Sequence, residues 1–151
     1  MELREVMQKR KSIRQYLTTP VEEEKVKAMI EAAILAPTWK NAQEIRYYVA
    51  VSEEKRQAVL DALGEGNRKK TQNAPVFLIS AVILNRAGFQ KDGTADNELG
   101  NGWGYYDCGL HDMNFCWRRQ IRAYLRWLWD YVMQINCVKH LTSQKKSPLS
   151  V

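Results

Sequence analysis

Lys9-Arg10-Lys11-Ser12-Ile13-Arg14-Gln15-Tyr16 is the stretch from which the rest of this chain can be read. Four cations and a hydroxyl fall within six residues, and Ile13 and Tyr16 interrupt them with apolar surface. A purely solvated charge run has no use for those two side chains. Arginine and lysine on a short, partly buried turn suit a phosphate, or an electron-rich ring that must hold negative charge. The same residues also fit a plainer arrangement, a basic helix end whose cations offset the helix dipole. The remaining sequence decides between the two.

At 151 residues the chain is long enough for one domain with a real core and too short to expect two. It is 45% hydrophobic and 26% charged with no long apolar run, which reads as a globular protein without a transmembrane span. Met1-Glu2-Leu3-Arg4-Glu5 is acidic and lacks the apolar core of a signal peptide, so the expected location is cytoplasmic. Cys108, Cys116 and Cys137 share no metal-type spacing, and an odd count argues against a disulfide framework.

The formal net charge of +6 is unevenly spread. Up to Cys116 there are 16 Lys and Arg against 16 Asp and Glu; from Trp117 onward seven cations face the single acid Asp130. Three of the five tryptophans also lie in this last part, so the composition breaks near residue 116.

Taken in order, residues 2–9 suit a short helix feeding the basic turn. Thr18-Thr19-Pro20 supplies a helix start, with Glu22, Glu23 and Glu24 in a first turn that favours acids. Val26, Met29, Ile30, Ala33 and Ile34 then repeat at helical spacing as one buried face, and Pro37 stops the helix. Tyr47 to Val51 is a short β-rich run. Ser52 caps a helix with Val59, Leu60 and Leu63 inward, and Gly64 and Gly66 are expected to end it. Val76 to Ile83 reads as a fully buried strand.

Residues 85–102 form a polar, glycine-rich loop, and loops of that length in compact domains are usually functional or mobile. No strand leads directly into Gly100-Asn101-Gly102-Trp103-Gly104, so it is not a nucleotide-binding fingerprint. Tyr106, Leu110, Met113 and Trp117 follow as a helical stripe expected in the core, with His111 beside it and given no role.

Four segments, in order, resemble the nitroreductase family of flavin enzymes. Arg10-Lys11-Ser12-Ile13-Arg14-Gln15-Tyr16 is similar to its R-R-S-I-R-x-Y/F pattern, and Ala36-Pro37-Thr38-Trp39-Lys40-Asn41-Ala42-Gln43 to A-P-S-x-x-N-x-Q. The third is Asn67-Arg68-Lys69-Lys70 followed by Asn73-Ala74-Pro75-Val76. The fourth runs from Asn97-Glu98-Leu99-Gly100 through Trp103, Asp107, Gly109 and Leu110. The likeness covers about residue 4 to Cys116, and its specificity comes from four motifs at the right spacing rather than from any one. The chain departs from the pattern at Glu44-Ile45, where the family usually has Pro-Trp beside the flavin.

The resemblance implies an α+β fold, a mainly antiparallel sheet flanked by helices, in an intertwined homodimer with two FMN sites at the interface. Arg10, Lys11, Ser12 and Arg14 would hold the FMN phosphate and the pyrimidine side of the ring. Asn67 and Lys70 would reach the ring or ribityl chain from the same subunit, and Pro37, Thr38, Trp39 and Asn41 would meet the flavin from the other. The implied activity is ping-pong transfer of hydride from NAD(P)H to a nitroaromatic, quinone or similar small-molecule acceptor. Flavin carries that chemistry, so no protein nucleophile or metal is called for. Arg14 and Lys70 would place positive charge where the reduced ring is anionic.

After Cys116 the likeness stops. If one base is missing just after the Cys116 codon, Trp129-Asp130 encodes a glycine and Met133-Gln134 an alanine in the shifted frame. Synonymous choices elsewhere allow a nitroreductase-like C-terminal half with a D-I-P-E-E turn. Residues 1–116 are therefore expected to be the N-terminal part of a nitroreductase-like domain, and 117–151 a non-family basic tail translated out of frame. A chain so truncated should bind FMN weakly and be poorly soluble. The rival reading is a non-enzymatic binding protein whose basic, tryptophan-rich tail contacts membrane or nucleic acid through Arg118, Arg119, Arg122 and Arg126. Its arginines and tryptophans are scattered on every side of a helix rather than on one face, so the enzyme reading, with neither membrane nor nucleic acid as partner, is preferred.

Overall fold

A computed structural model describes residues 2–121. Five α-helices and two strands make up that part: α1 (Leu3–Lys9), α2 (Glu23–Ala33), β1 (Ile45–Ala50), α3 (Glu53–Ala62), α4 (Glu65–Thr71), β2 (Phe77–Val82) and α5 (Gly102–Ile121). A single 3-10 turn, Trp39–Asn41, precedes β1. The architecture is α+β, as expected, with an antiparallel pair between helical layers.

The strand register assigns the layers. Tyr47 pairs with Ser80 and Val49 with Leu78, while Tyr48 pairs with Ile79 and Ala50 with Phe77. Because side chains alternate along a strand, each set shares one face. Tyr47, Val49 and Leu78 pack with Val26, Met29, Ala33 and Phe115, joining one face of the sheet to α2 and α5. Ala50, Phe77 and Ile79 pack on Val59, so α3 covers the other. The sheet is thus sandwiched, with the larger core on the α2/α5 side.

Local chemistry explains most helix boundaries. Glu22 is the N-cap of α2 rather than part of its first turn; Glu23 and Glu24 occupy that turn, where the partial positive charge of unpaired N–H groups favours acids. Ser52 caps α3 by accepting the Lys55 N–H at 3.4 Å. Val26, Met29 and Ala33 are buried on α2, but Ile34 lies beyond the last helical residue and is 59% exposed.

Three expectations are corrected. Gly64 does not terminate α3; it is the N-cap of α4, with Gly66 in that helix's first turn, and α3 stops at Ala62 as Leu63 turns extended. Arg68 reaches back from α4 to donate to the carbonyls of Leu60 and Asp61, filling the acceptors left at the end of α3. β2 is buried fully only at Ile79, since among the described residues each strand has just one strand neighbour. On α5 the expected apolar stripe is not the buried face: Tyr106 is 61% exposed and Met113 is exposed, Leu110 and Trp117 are half-buried, whereas Asp107, Cys108, His111, Phe115 and Cys116 are buried. The buried face lies one residue along from the stripe, and includes polar groups that a hydrophobic pattern cannot see.

α5 continues without a break across residue 116 to Ile121, with Arg119 and Gln120 buried. The remainder of the expected out-of-frame tail lies outside the described residues. Among the described residues no helix is long and apolar enough to cross a membrane.

Candidate functional site

The most constrained backbone lies between α2 and β1. Lys40, Asn41 and Gln43 have φ of 47°, 54° and 51°, the left-handed region, although none is glycine. Each such residue costs on the order of 1 kcal/mol, so the surroundings must over-determine the turn. Inside it, Thr38 Oγ1 accepts the Gln43 N–H at 3.0 Å, the Thr38 carbonyl accepts Asn41 N–H at 3.0 Å, and Trp39 carbonyl accepts Ala42 N–H at 2.9 Å. Gln43 donates from its amide to Asn41 Oδ1 at 3.1 Å.

The turn is also anchored from outside. Trp39 donates its backbone N–H to Asp107 Oδ2 at 2.7 Å and its indole N–H to Asp96 Oδ2 at 3.1 Å. Lys40 adds an ion pair to the same Asp96 oxygen at 2.8 Å, and these two donors hold Asp96 below the usual carboxylate range, Lys40 contributing most. The Trp39 ring lies 3.9 Å from that of Trp103 at 31°, and Tyr106 meets Trp103 edge-on at 6.2 Å. Trp103 is fixed in turn by donating to Asn97 Oδ1 at 3.0 Å.

Loop 83–101 brings these partners in. Asn101 bonds Asn85 twice, through its side-chain oxygen to the Asn85 N–H at 2.7 Å and from its amide to Asn85 Oδ1 at 2.9 Å. Gly88 has φ +78°, and a β-carbon there would fall 2.3 Å from the Gly100 carbonyl oxygen and 2.7 Å from the Trp103 ring. Only glycine allows the loop to close against its own end at that point.

Beneath the turn, α5 presents two acids to the sheet. Asp107 is buried and holds the Trp39 N–H; next to it Glu44 is 0% exposed, with neither carboxyl oxygen meeting a donor. Burial first, then the hydrogen bond and charge of Asp107, pushes the Glu44 carboxyl above its ordinary range. His111 is also buried with both ring nitrogens unpartnered, and burial depresses its pKa. One turn on, Asp112 accepts from Tyr47 at 3.4 Å and Ser80 at 3.0 Å, tying α5 to both strands. Burial, followed by the charge of Asp112, raises the Cys108 thiol to about 11 and moves the Tyr47 phenol up as well.

The basic groups are arranged differently. α1 ends at Lys9, which faces Glu5 at 4.0 Å, and the chain then runs extended from Arg10. Tyr16 is buried and donates its hydroxyl to the Ile13 carbonyl at 3.0 Å, so the apolar members of the stretch pin it down. Lys11, Ser12 and Arg14 are exposed and Arg10 half-buried. On α4, Arg68 is spent on the end of α3 and Lys69 pairs with Glu65 at 2.6 Å. Lys70 is exposed and Asn67 half-buried beside them.

The residues expected at a site therefore fall into two sets. Pro37, Thr38, Trp39 and Asn41 share the anchored turn. Arg10, Lys11, Ser12 and Arg14 follow α1, while Asn67 and Lys70 lie on α4, and among the described residues no hydrogen bond or ion pair joins these last two groups. Asp96 and Asn97, which fix the tryptophans, and Glu44, inside the fold, had no assigned role in the sequence. The departure from the family pattern at Glu44 was the one available signal. Among the described residues no group of His, Cys, Asp or Glu is set to hold a metal.

Comparison with known proteins agrees with the fold. A Streptomyces coelicolor protein provisionally named NADH dehydrogenase/NAD(P)H nitroreductase is 36% identical over 67 residues, 44% of this chain and 33% of that protein, so the chain matches about a third of its curated relative's length. A Desulfovibrio desulfuricans protein, provisionally called a nitroreductase and solved in complex with FMN, superposes with a TM-score of 0.62 at 21% identity, covering 81% of this chain and 64% of the other. A gut-bacterial enone reductase of fatty acid saturation, CLA-ER, superposes at 0.70 with 16% identity, covering 81% and 71%. At those identities the likeness establishes the fold. The family model for nitroreductases matches residues 7–115, which takes in the basic stretch, the strained turn, α4 and most of α5, and the chain belongs to the nitroreductase family.

Proposed function

We propose that this protein is an FMN-dependent NAD(P)H oxidoreductase acting on nitroaromatics, quinones or similar acceptors. One observation carries the reading: the cations assigned to the cofactor all fall within the family match at residues 7–115, and none of them is spent on a carboxylate among the described residues. They share that freedom with cations such as Arg4, Lys27 and Lys55, which lie outside the family's motifs. Lys9, Lys25, Lys40 and Lys69 are each paired with a carboxylate, while Arg10, Lys11, Arg14 and Lys70 are in no ion pair among the described residues. That donor set fits a phosphate and an anionic ring.

Arg10, Lys11 and Ser12 would hold the phosphate, and Arg14 and Lys70 would set fixed positive charge at the pyrimidine side, with Asn67 donating to the ring or ribityl chain. When bound, FMN supplies the hydride chemistry between NAD(P)H and acceptor. Pro37, Thr38, Trp39 and Asn41 would close over it from a second protomer, where a preformed turn costs no ordering on binding. A homodimer is supported by the run of exposed apolar side chains Leu99, Tyr105, Tyr106 and Met113 along and just before α5. The expected location is cytoplasmic, and residues from 117 are read as out-of-frame, which sequencing the gene through the Cys116 codon decides.

Titration of the full chain with FMN, followed by quenching of flavin fluorescence, tests the cofactor. Saturable binding that weakens in Arg14→Ala and Lys70→Ala supports it; no binding by folded chain, or binding untouched by both changes, rejects it.

A further inference from the structure

Glu44 occupies a position where a carboxylate has no ordinary reason to be. It is fully buried at the entry to β1, where its backbone carbonyl accepts the Ile83 N–H at 3.0 Å and extends the strand pairing by one bond. Neither of its oxygens meets a donor. Gly104 of α5 packs over it: a β-carbon there would clash with Val82 Cγ1 at 2.6 Å and would touch Glu44 Oε1 at 3.8 Å, so helix and acid lie in direct contact. Its neighbour is another buried acid, Asp107, whose Oδ2 is already engaged by the Trp39 N–H.

Two ionised carboxylates cannot share so dry a place without a cation between them. Among the described residues, the charged and titratable groups that act on Glu44 are Asp107 and Cys108 from α5 and Arg86 from loop 83–101. Arg86 is the weakest influence on Glu44 and does not bond it. Burial lowers the His111 pKa against the opposing charge of Asp107, and His111 is the same in wild type and in any Glu44 variant.

We propose that Glu44 is a positioning residue: it is retained as the neutral acid, its proton shared with Asp107, and the pair fixes the Thr38–Gln43 turn through the Trp39 N–H. Asp107 Oδ2 accepts from the Trp39 N–H, and the Glu44 proton supplies the missing donor between the two acids. Removing the proton leaves two buried anions side by side, and the nearest release is to move Asp107 and let the strained turn relax. The turn's facing the cofactor rests on the function proposed above; the acid pair does not.

The pH dependence follows from the direction of the shift. A carboxyl whose pKa is raised in the folded chain makes the native state bind more protons than the unfolded one. The stabilisation is complete below the ordinary value of 4.5 and is lost as pH rises from there through the raised value. Glu44→Gln keeps the size and a donor to Asp107 but cannot ionise.

The experiment compares cofactor-free wild type and Glu44→Gln in denaturant melts across about pH 4.5 to 9, with hydrogen exchange at the Trp39 amide. The expected result is near-equal stability at the acid end and a growing advantage for Glu44→Gln with pH, roughly tenfold in the folding constant per unit of raised pKa. Trp39 amide protection falls with pH in wild type alone. A pH-independent difference, or a Glu44→Gln chain that is weaker throughout, overturns the proposal. If the variant does not fold, carbon-13 titration of the Glu44 carboxyl in wild type decides: a midpoint above 4.5 supports it, an ordinary one overturns it. FMN titration of both proteins separates the two readings, because failure to bind flavin in either leaves these melts unchanged.

Discussion

The turn Thr38–Gln43 and the segment Arg10–Tyr16 contribute to one family's signature, yet the fold treats them in opposite ways. The turn holds three non-glycine residues in the left-handed region and is tied down by Asp96, Asp107 and its own side chains. The segment is pinned by Tyr16 and half-buries Ile13, while its remaining polar members face solvent without ion pairs. One is completed by the protein itself; the other, on the function proposed above, would be completed by a bound anion. Shape is therefore prepaid at the turn, and charge complementarity is left open at the segment.

Breaking the prepared half should have the largest effect. In Gly88→Ala a β-carbon meets backbone, which cannot give way, in a left-handed conformation as well; a loss of about 3 kcal/mol is expected in denaturant melts, with the Trp39–Trp103 exciton signal in circular dichroism reduced. A variant within about 0.5 kcal/mol of wild type would mean the loop does not close on Gly88 as described.

The open half should respond in binding and not in stability. Arg14→Ala is expected to weaken FMN by roughly tenfold or more, the scale of one charge-assisted hydrogen bond, while the cofactor-free melt moves by less than about 0.5 kcal/mol. Equal losses in both would show Arg14 to be structural and erase the contrast. Tyr16→Phe removes the bond to Ile13 and should cost about 1 kcal/mol, with a smaller loss of FMN affinity because the segment loosens. The smallest effect is at Lys69, whose exposed pair with Glu65 contributes at most about 0.5 kcal/mol; Lys69→Ala should leave flavin titrations unchanged where Lys70→Ala does not.

A thiol probe sharpens the same comparison from the core side. Cys108, with its pKa at about 11, should resist alkylation at mildly alkaline pH until the chain unfolds, as read by peptide mass mapping. Rapid labelling in the folded protein would mean that α5 opens next to Asp107 and Asp112.

Much of this was legible beforehand, for local reasons. The Ser52 cap, the acids opening α2, the α2 core face and the two strand runs follow from bonds and periodicities that a few neighbouring residues dictate, whereas their antiparallel pairing was implied by the family resemblance. Gly64 misled because an N-cap and a C-terminal stop use the same residue, and only a helix continuing beyond it tells them apart. The α5 stripe misled because hydrophobic pattern ranks Tyr106 and Met113 above Asp107 and His111, and the packing reverses that order.

By itself, then, the sequence determined the family, the Ser52 start of α3 and which two basic runs hold cations that could meet a bound anion, since these depend on residue type and short spacing. Tertiary structure alone decided which of those cations are spent, as Arg68 and Lys69 are on carbonyls and a carboxylate, and it alone brought Asp96, Asp107 and Trp103 onto a turn more than fifty residues away. It also buried Glu44 against Asp107. The cost of a charge is set by what surrounds it, and that is fixed only when distant segments meet.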